Sequence, residues 1–148
     1  MPDEQPITIL LIEDDPAHAE IVRRNFESIG IANILKHVSD GEAALDYLYR
    51  NNAFSDPSSS PRPGLILLDL RLPKVDGLQL LKTIKADPGL NTIPVVVLTT
   101  SASEADIAMA YTNKANSYLV KPVDFTQFSE LLETLGTYWM LWNHHSKT

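Results

Sequence analysis

The stretch LILLDLRLPKVDG, residues 65–77, decides the fold class of this chain. It joins the apolar run Leu65–Leu68 to a lone acid, Asp69, and then to a turn that contains proline and glycine. A short apolar run closed by turn residues is typical of a strand that is buried on both faces, as in a parallel sheet. The acid that follows such a strand is therefore predicted to lie at the rim of the sheet.

Similar apolar runs alternate with helix-period segments along the chain, which indicates a parallel sheet wrapped by helices. The predicted strands are Ile7–Ile12, residues 34–38, Leu65–Leu68, residues 95–98 and Ser117–Val120. Crossovers between parallel strands are right-handed in nearly all proteins, which leaves few ways to wind five such units. We therefore predict an α/β fold with a doubly wound, five-stranded parallel sheet.

Helical spacing and capping residues predict one helix after each strand. The first carries an apolar stripe of Val22, Phe26 and Ile29. The second begins at the Asp40 cap and runs to about residue 50, the third spans 78–86, the fourth begins near Ser103, and the last is an extended helix over about 125–142. Asp and Ser side chains before a helix accept hydrogen bonds from the free amides of its first turn.

The composition narrows the class of protein. A chain of 148 residues without cysteine fits one domain over 1–148 that folds without disulfides or a structural metal. No apolar run approaches the roughly 20 residues that span a bilayer, so we expect no membrane insertion and a cytoplasmic location. The net charge of -7 opposes the phosphate attraction on which nucleic-acid binding depends. Direct binding to nucleic acid is therefore not expected.

Ionisable and hydroxyl side chains follow the predicted strands at the point where each strand ends. The first strand runs into Glu13 and Asp14, the third into Asp69, the fourth into Thr99 and the fifth into Lys121. In doubly wound sheets the functional crevice lies at the carboxyl ends of the strands. These groups, far apart in the sequence, are thus predicted to meet at one edge of the sheet.

The predicted cluster has the residue types of a phosphoryl-transfer site. Carboxylates held close together oppose each other's ionisation unless a cation offsets them. Oxygen ligands favour Mg²⁺, and Mn²⁺ or Ca²⁺ would suit the same site. A metal-neutralised carboxylate such as Asp69 can attack phosphorus, Lys121 can bind the phosphoryl oxygens, and a hydroxyl at Thr99 can donate to them. Thr100 competes with Thr99 for that last role.

Four separated motifs carry a resemblance to a known family. They are IEDD at 12–15, LLDLRLPKVDG at 67–77, VLTT at 97–100 and YLVKP at 118–122. Together, and in this order, they resemble the receiver domain of two-component response regulators over essentially the whole chain. The resemblance implies a flavodoxin-like (βα)5 fold with strand order 2-1-3-4-5, and a signalling protein rather than an enzyme.

The resemblance also implies roles for individual residues. Asp69 would accept a phosphoryl group from a histidine kinase. Asp14 would ligate Mg²⁺ directly, Glu13 would act beside it, mostly through water, and Asp69 and the backbone carbonyl of Arg71 would complete the metal site. Two other functions share parts of this pattern. A Mg²⁺-dependent phosphatase typically needs a second acid at the position of Arg71, and a nucleotide or flavin binder needs a glycine-rich loop after the first strand.

The same resemblance also implies roles for the other residues of the four motifs. Thr99 would be the switch hydroxyl, Tyr118 the aromatic residue whose rotamer reports the state, and Lys121 the cation that binds phosphate. The bond between Lys121 and Pro122 would be a cis peptide, which X-Pro bonds can adopt at modest cost.

Two segments outside the motifs suggest partners. The segment YWMLW at 138–142 spreads apolar surface around the end of the last helix, so Tyr138, Trp139 and Trp142 are candidates for a homodimer interface, with a core extension as the open alternative. The long Ser- and Pro-rich connection over 51–64 is similar to that of the small response regulators that pair with cyanobacterial phytochromes. That similarity implies a light-sensing histidine kinase as the partner.

Overall fold

The apolar run Leu65–Leu68 forms the central strand, β3, of a five-stranded parallel sheet in this computed structural model, which describes residues 6–29 and 33–139. The strand order is β2-β1-β3-β4-β5, so the predicted doubly wound, flavodoxin-like fold is confirmed. The other strands are β1 Ile7–Ile12, β2 Asn33–Val38, β4 Val95–Thr99 and β5 Ser117–Val120. All four side chains of β3 are buried, because helices cover both faces of the sheet.

Five α-helices connect and flank the strands in the part of the chain that the structure describes. They are α1 Pro16–Glu27, α2 Gly41–Tyr49, α3 Gly77–Ala86, α4 Glu104–Thr112 and α5 Phe125–Thr137. The predicted caps are confirmed, since the Asp40 side chain accepts from the Ala43 amide and the Ser103 side chain accepts from the Asp106 amide. A short 3-10 helix, Asn52–Phe54, interrupts the long connection before β3.

The helices divide between the two faces of the sheet, which gives two core layers. On one face α1 and α5 pack through Val22, Phe26, Phe128 and Leu132. On the other face α2, α3 and α4 bury the residues Ala44, Tyr47, Leu80, Leu81, Ile84 and Ala110 against the sheet. Because the strands are parallel, the carboxyl ends of β1, β3, β4 and β5 lie at the same edge of the sheet.

Gly77 explains why the turn after Asp69 is closed by glycine. A Cβ atom at Gly77 would lie 2.4 Å from the Cα of Leu70 and 2.6 Å from the backbone oxygen of Asp69. The Gly77 amide donates to the backbone oxygen of Leu70 over 3.1 Å. The start of α3 therefore presses directly against the segment that carries Asp69, and only a residue without a side chain allows this approach.

One of the candidate interface residues, Trp139 at the end of α5, is buried. Trp139 is only 8% exposed and belongs to the core layer between the sheet, α1 and α5, because it follows the buried Leu135 by one helical turn. Tyr138 is 52% exposed. The structure thus assigns Trp139 to the core extension and leaves Tyr138 on the surface. Trp142 and the expected continuation of the helix to residue 142 lie outside the described residues.

The peptide bond before Pro122 differs from the prediction. The expected cis bond between Lys121 and Pro122 is wrong, since the described residues contain no cis peptide bond. The trans form is the intrinsically favoured state of an X-Pro bond, and Lys121 reaches its partners from it. Among the described helices, none combines the length and the apolar character that crossing a membrane requires.

Candidate functional site

Sheet register brings the predicted site residues to one edge. Ile12, the last residue of β1, pairs with Leu68, the last residue of β3, so that Glu13 and Asp69 follow from neighbouring positions. The Asp69 amide donates to the Ile12 carbonyl over 3.0 Å, and the Lys121 amide donates to the Thr99 carbonyl over 2.7 Å. Backbone hydrogen bonds to the neighbouring strand therefore fix the backbone positions from which the side chains of Asp69 and Lys121 extend.

Asp69 lies at the centre of this edge and is only 7% exposed. Its Oδ1 accepts hydrogen bonds from the Thr99 hydroxyl at 2.7 Å and from the Arg71 amide at 3.2 Å. Its Oδ2 lies 3.1 Å from Nζ of Lys121, which donates to it. Both carboxylate oxygens are thus oriented by donors, and the side chain is held in one position beneath the surface.

Lys121 is the buried cation of the site. It is 4% exposed, and its ammonium group donates to Oε1 of Glu13 as well as to Asp69. Its third neighbour is Nδ1 of His18, at 2.9 Å from Nζ. A buried ammonium group needs opposite charge and hydrogen-bond acceptors around it, and this arrangement supplies both.

The two buried carboxyl groups differ in their tendency to ionise. Burial raises the pKa of Glu13 to about 7, although the contacts with Lys121 act in the opposite direction. Burial also opposes ionisation of Asp69, but the hydrogen bond from Thr99 and the charge of Lys121 outweigh it and lower the pKa of Asp69. Near neutral pH Asp69 is therefore ionised, as a nucleophile must be, whereas Glu13 is close to its titration midpoint.

Three acids at this edge fit a divalent metal site. One carboxylate oxygen from each of Glu13, Asp14 and Asp69 lies within 4.8 Å of the others. Asp14 is exposed while the other two are buried, so a cation can enter from solvent and reach all three. Such hard oxygen ligands suit Mg²⁺, Mn²⁺ or Ca²⁺. The carbonyl of Arg71, in the turn directly after Asp69, stays a predicted fourth ligand.

Tyr118 lies on β5, the strand that ends just before Lys121. It is half-buried, and its hydroxyl donates to the backbone oxygen of Ser101 over 2.9 Å. Ser101 belongs to the loop that joins β4 to α4. The side chain of Tyr118 thus ties β5 to the loop that begins directly after Thr99, the residue predicted to be the switch hydroxyl.

Three contacts at the site were not predicted from the sequence. The guanidinium group of Arg71 donates to Oδ2 of Asp106 on α4 over 2.7 Å, and the hydroxyl of Ser101 donates to the same oxygen over 2.6 Å. In addition, the imidazole of His18 on α1 contacts the ammonium group of Lys121. Its place one turn after the acids that end β1 was the only signal, because sequence spacing does not specify rotamers.

Comparison with known proteins shows the family. Residues 9–133 match the family described as the response regulator receiver domain. The probable methanogenesis regulatory protein FilR2 of Methanothrix harundinacea is 46% identical over 140 residues, which are 95% of this chain and 88% of that protein. The response regulator Rcp1 of Synechocystis is 39% identical over 142 residues, which are 95% of each chain.

Solved structures give the same result. The structure of the Mn²⁺-bound form of response regulator Rcp1 matches with a TM-score of 0.90 and 37% identity. The match covers 95% of this chain and 99% of the Rcp1 chain. The structure of the phosphorylated cyanobacterial phytochrome response regulator RcpA matches with a TM-score of 0.92 and 33% identity. The match covers 97% of this chain and 100% of the RcpA chain. The chain therefore belongs to the response regulator receiver domain family and is related to the phytochrome response regulators.

Proposed function

We propose that this chain is a phosphoacceptor response regulator of a two-component phosphorelay, which takes a phosphoryl group from a histidine kinase onto Asp69. The observation that supports this most directly is the environment of the Asp69 carboxylate. It is ionised and buried, it lies between the Thr99 hydroxyl and the Lys121 ammonium group, and it is next to a metal-capable pair of acids. Family membership supports the same function.

The proposed step is a transfer from nitrogen to oxygen. One carboxylate oxygen of Asp69 forms a bond to phosphorus as the bond between phosphorus and the kinase histidine breaks, and the imidazole nitrogen keeps the electron pair. Lys121 then stabilises a phosphoryl oxygen, and Thr99 donates its hydroxyl hydrogen to another. Mg²⁺ bound by Glu13, Asp14, Asp69 and the Arg71 carbonyl would neutralise charge on the phosphoryl group.

Phosphorylation would switch partner binding through Thr99 and Tyr118. The modification adds roughly one negative charge to Asp69, and the Thr99 hydroxyl, now hydrogen-bonded to that carboxylate, would follow the phosphoryl group. Tyr118 is tied to the same loop through Ser101. The neighbouring surface of α4, β5 and the start of α5 exposes apolar side chains, namely Met109, Tyr111, Val120, Val123 and Phe125. A change at the loop would therefore alter a surface suited to protein contacts.

Incubation with acetyl phosphate tests the acceptor assignment. We expect intact-mass measurement to show a phosphate adduct on the wild-type protein that requires Mg²⁺. Asp69→Asn is expected to show none, since its side-chain amide is not nucleophilic, whereas Asp56→Asn, an exposed acid in the long loop, is the matched control and should behave as wild type. An adduct that persists on Asp69→Asn would contradict the proposal.

We further propose that the kinase is of the phytochrome type. The likeness to Rcp1 and to the cyanobacterial phytochrome response regulator RcpA supports this partner. The 46% identity to FilR2, a probable methanogenesis regulatory protein, instead favours a histidine kinase of another type as the partner. Transfer rates from a purified cyanobacterial phytochrome kinase and from unrelated histidine kinases distinguish the two, because a cognate pair should react much faster than the others.

Self-association is the last part of the proposed function. Tyr138 exposes about half of its surface at the end of α5, and Trp142 is a further candidate outside the described residues. We expect a homodimer, and Tyr138→Arg should shift sedimentation toward the monomer because a charged side chain would be buried at the interface. Tyr49→Arg, at a similarly exposed tyrosine on α2, is the control. Beyond its own phosphorylation and dephosphorylation, we propose no catalytic activity.

A further inference from the structure

The ammonium group of Lys121 has three hydrogens, and the structure provides one acceptor for each. They are Oε1 of Glu13, Oδ2 of Asp69 at 3.1 Å and Nδ1 of His18 at 2.9 Å. The first two belong to the acidic cluster. The third comes from α1 and has no part in the family pattern described above. His18 therefore holds the one hydrogen of Lys121 that the acids do not.

The tautomer of the His18 imidazole that fits this contact follows from its partner. A lysine ammonium group has donors only, so Nδ1 of His18 must be the unprotonated nitrogen that accepts. The neutral ring then carries its hydrogen on Nε2, which lies 3.6 Å from Oδ2 of Asp15, the acid that caps α1. The ring is therefore oriented with one nitrogen toward the buried cation and the other toward a carboxylate.

Packing holds the ring in this orientation. His18 stands edge-on to the ring of Phe128, with centroids 5.8 Å apart and planes at 89°. Phe128 is a buried residue of α5, 3% exposed, and belongs to the core layer of α1 and α5. His18 itself keeps a side-chain exposure of 31%. Its position is consequently fixed from α1 and from α5 before any phosphoryl group arrives.

We propose that His18 is a positioning residue that aims the Lys121 ammonium group at Asp69; this rests on the proposed phosphoacceptor function. A lysine side chain is long and flexible, and without an acceptor on the α1 side its ammonium group would turn toward Glu13. The cation would then be displaced from Oδ2 of Asp69, which it contacts in this structure. Nδ1 of His18 prevents this by keeping Lys121 between the two carboxylates.

Three substitutions at position 18 separate positioning from packing. Asn places its side-chain oxygen near the position of Nδ1 and retains the acceptor, whereas Gln places its oxygen near the position of Nε2 and Leu has no acceptor. The measurement is the second-order rate constant for adduct formation from acetyl phosphate at saturating Mg²⁺, read by intact mass. The Mg²⁺ affinity of each variant, from titration calorimetry, serves as the internal reference.

We expect His18→Leu and His18→Gln to lower the rate constant about tenfold, the usual effect of losing one hydrogen bond to a charged group. His18→Asn should remain within roughly twofold of the wild type, since one retained hydrogen bond accounts for most of that effect. Mg²⁺ affinity should change much less than the rate constant in all three, because Lys121 keeps its hydrogen bond to Glu13 with or without His18. Equal losses in all three variants, or no loss in any of them, would overturn the proposal. Failure of the phosphoacceptor function itself would look different, as the wild type would then form no adduct.

Discussion

The hydroxyl oxygen of Thr99 lies 2.7 Å from Oδ1 of Asp69, although 30 residues separate the two in the sequence. Thr99 is fully buried as the last residue of β4, and Asp69 directly follows β3. The hydroxyl is therefore carried by the sheet itself and not by a mobile loop. This hydrogen bond lowers the pKa of Asp69 against the opposing effect of burial, and so it keeps the predicted nucleophile ionised.

Removal of the Thr99 hydroxyl should destabilise the metal-free protein. Thr99→Val keeps the shape of the side chain but leaves a buried, charged oxygen of Asp69 with one donor fewer, so we expect a loss of about 2 kcal/mol in unfolding free energy. Thr99→Ser retains the hydroxyl and should lose about 0.8 kcal/mol, the value of one buried methyl group. Denaturant unfolding measures both, and equal losses would contradict the role of the hydroxyl.

Lys121→Met should separate phosphorylation from metal binding. Lys121 competes with Mg²⁺ for the charges of Glu13 and Asp69, so its removal should leave Mg²⁺ affinity equal to or higher than that of the wild type. The phosphate adduct should form at least about tenfold more slowly, because a charged hydrogen bond to the phosphoryl oxygens is lost. Lys82→Met, at an exposed position on α3, is the control. A parallel fall in metal affinity and rate would contradict this assignment.

The sequence was sufficient to predict the strands and the residues that end them. Runs such as Leu65–Leu68 are local patterns, and the parallel order makes every strand deliver its next residue to the same edge of the sheet. Asp69, Thr99 and Lys121 could therefore be predicted to meet without knowledge of any contact. The predicted strand boundaries differ from the observed ones by one residue at the start of β2 and by one residue at the end of β4.

Long side chains at the site could not be placed from the sequence. Arg71 pairs with Asp106 across 35 residues, and His18 approaches Lys121 across 103. Such contacts depend on rotamers that tertiary packing selects, and no periodic pattern specifies them. Trp139 was ambiguous for a related reason, since an apolar helix end is compatible with either a core position or an interface. Only its packing beside Leu135 assigns it to the core.

Gly77→Ala should destabilise the fold and disturb the site. The new methyl group would lie 2.4 Å from the Cα of Leu70, and backbone atoms cannot yield as a flexible side chain does. We expect a loss of at least about 2 kcal/mol in unfolding free energy. Gly89→Ala is the matched control, because its nearest neighbour is a side-chain oxygen of Asp87 at 3.2 Å, and it should cost less than about 1 kcal/mol. Similar losses for both variants would contradict the close approach of α3.

Mg²⁺ affinity should depend on pH through Glu13. Burial raises the pKa of this carboxyl group to about 7, so below that pH an arriving cation must displace a proton. Affinity should accordingly fall as the pH is lowered from 7 to 6, by up to about tenfold, and level off above the pKa. Asp69 adds nothing in this range, since its pKa is lowered. Glu13→Gln carries no titrating proton and should bind Mg²⁺ more weakly but with a flatter profile. Titration calorimetry at pH 6, 7 and 8 compares the two proteins, and identical slopes would show that another group controls the metal site.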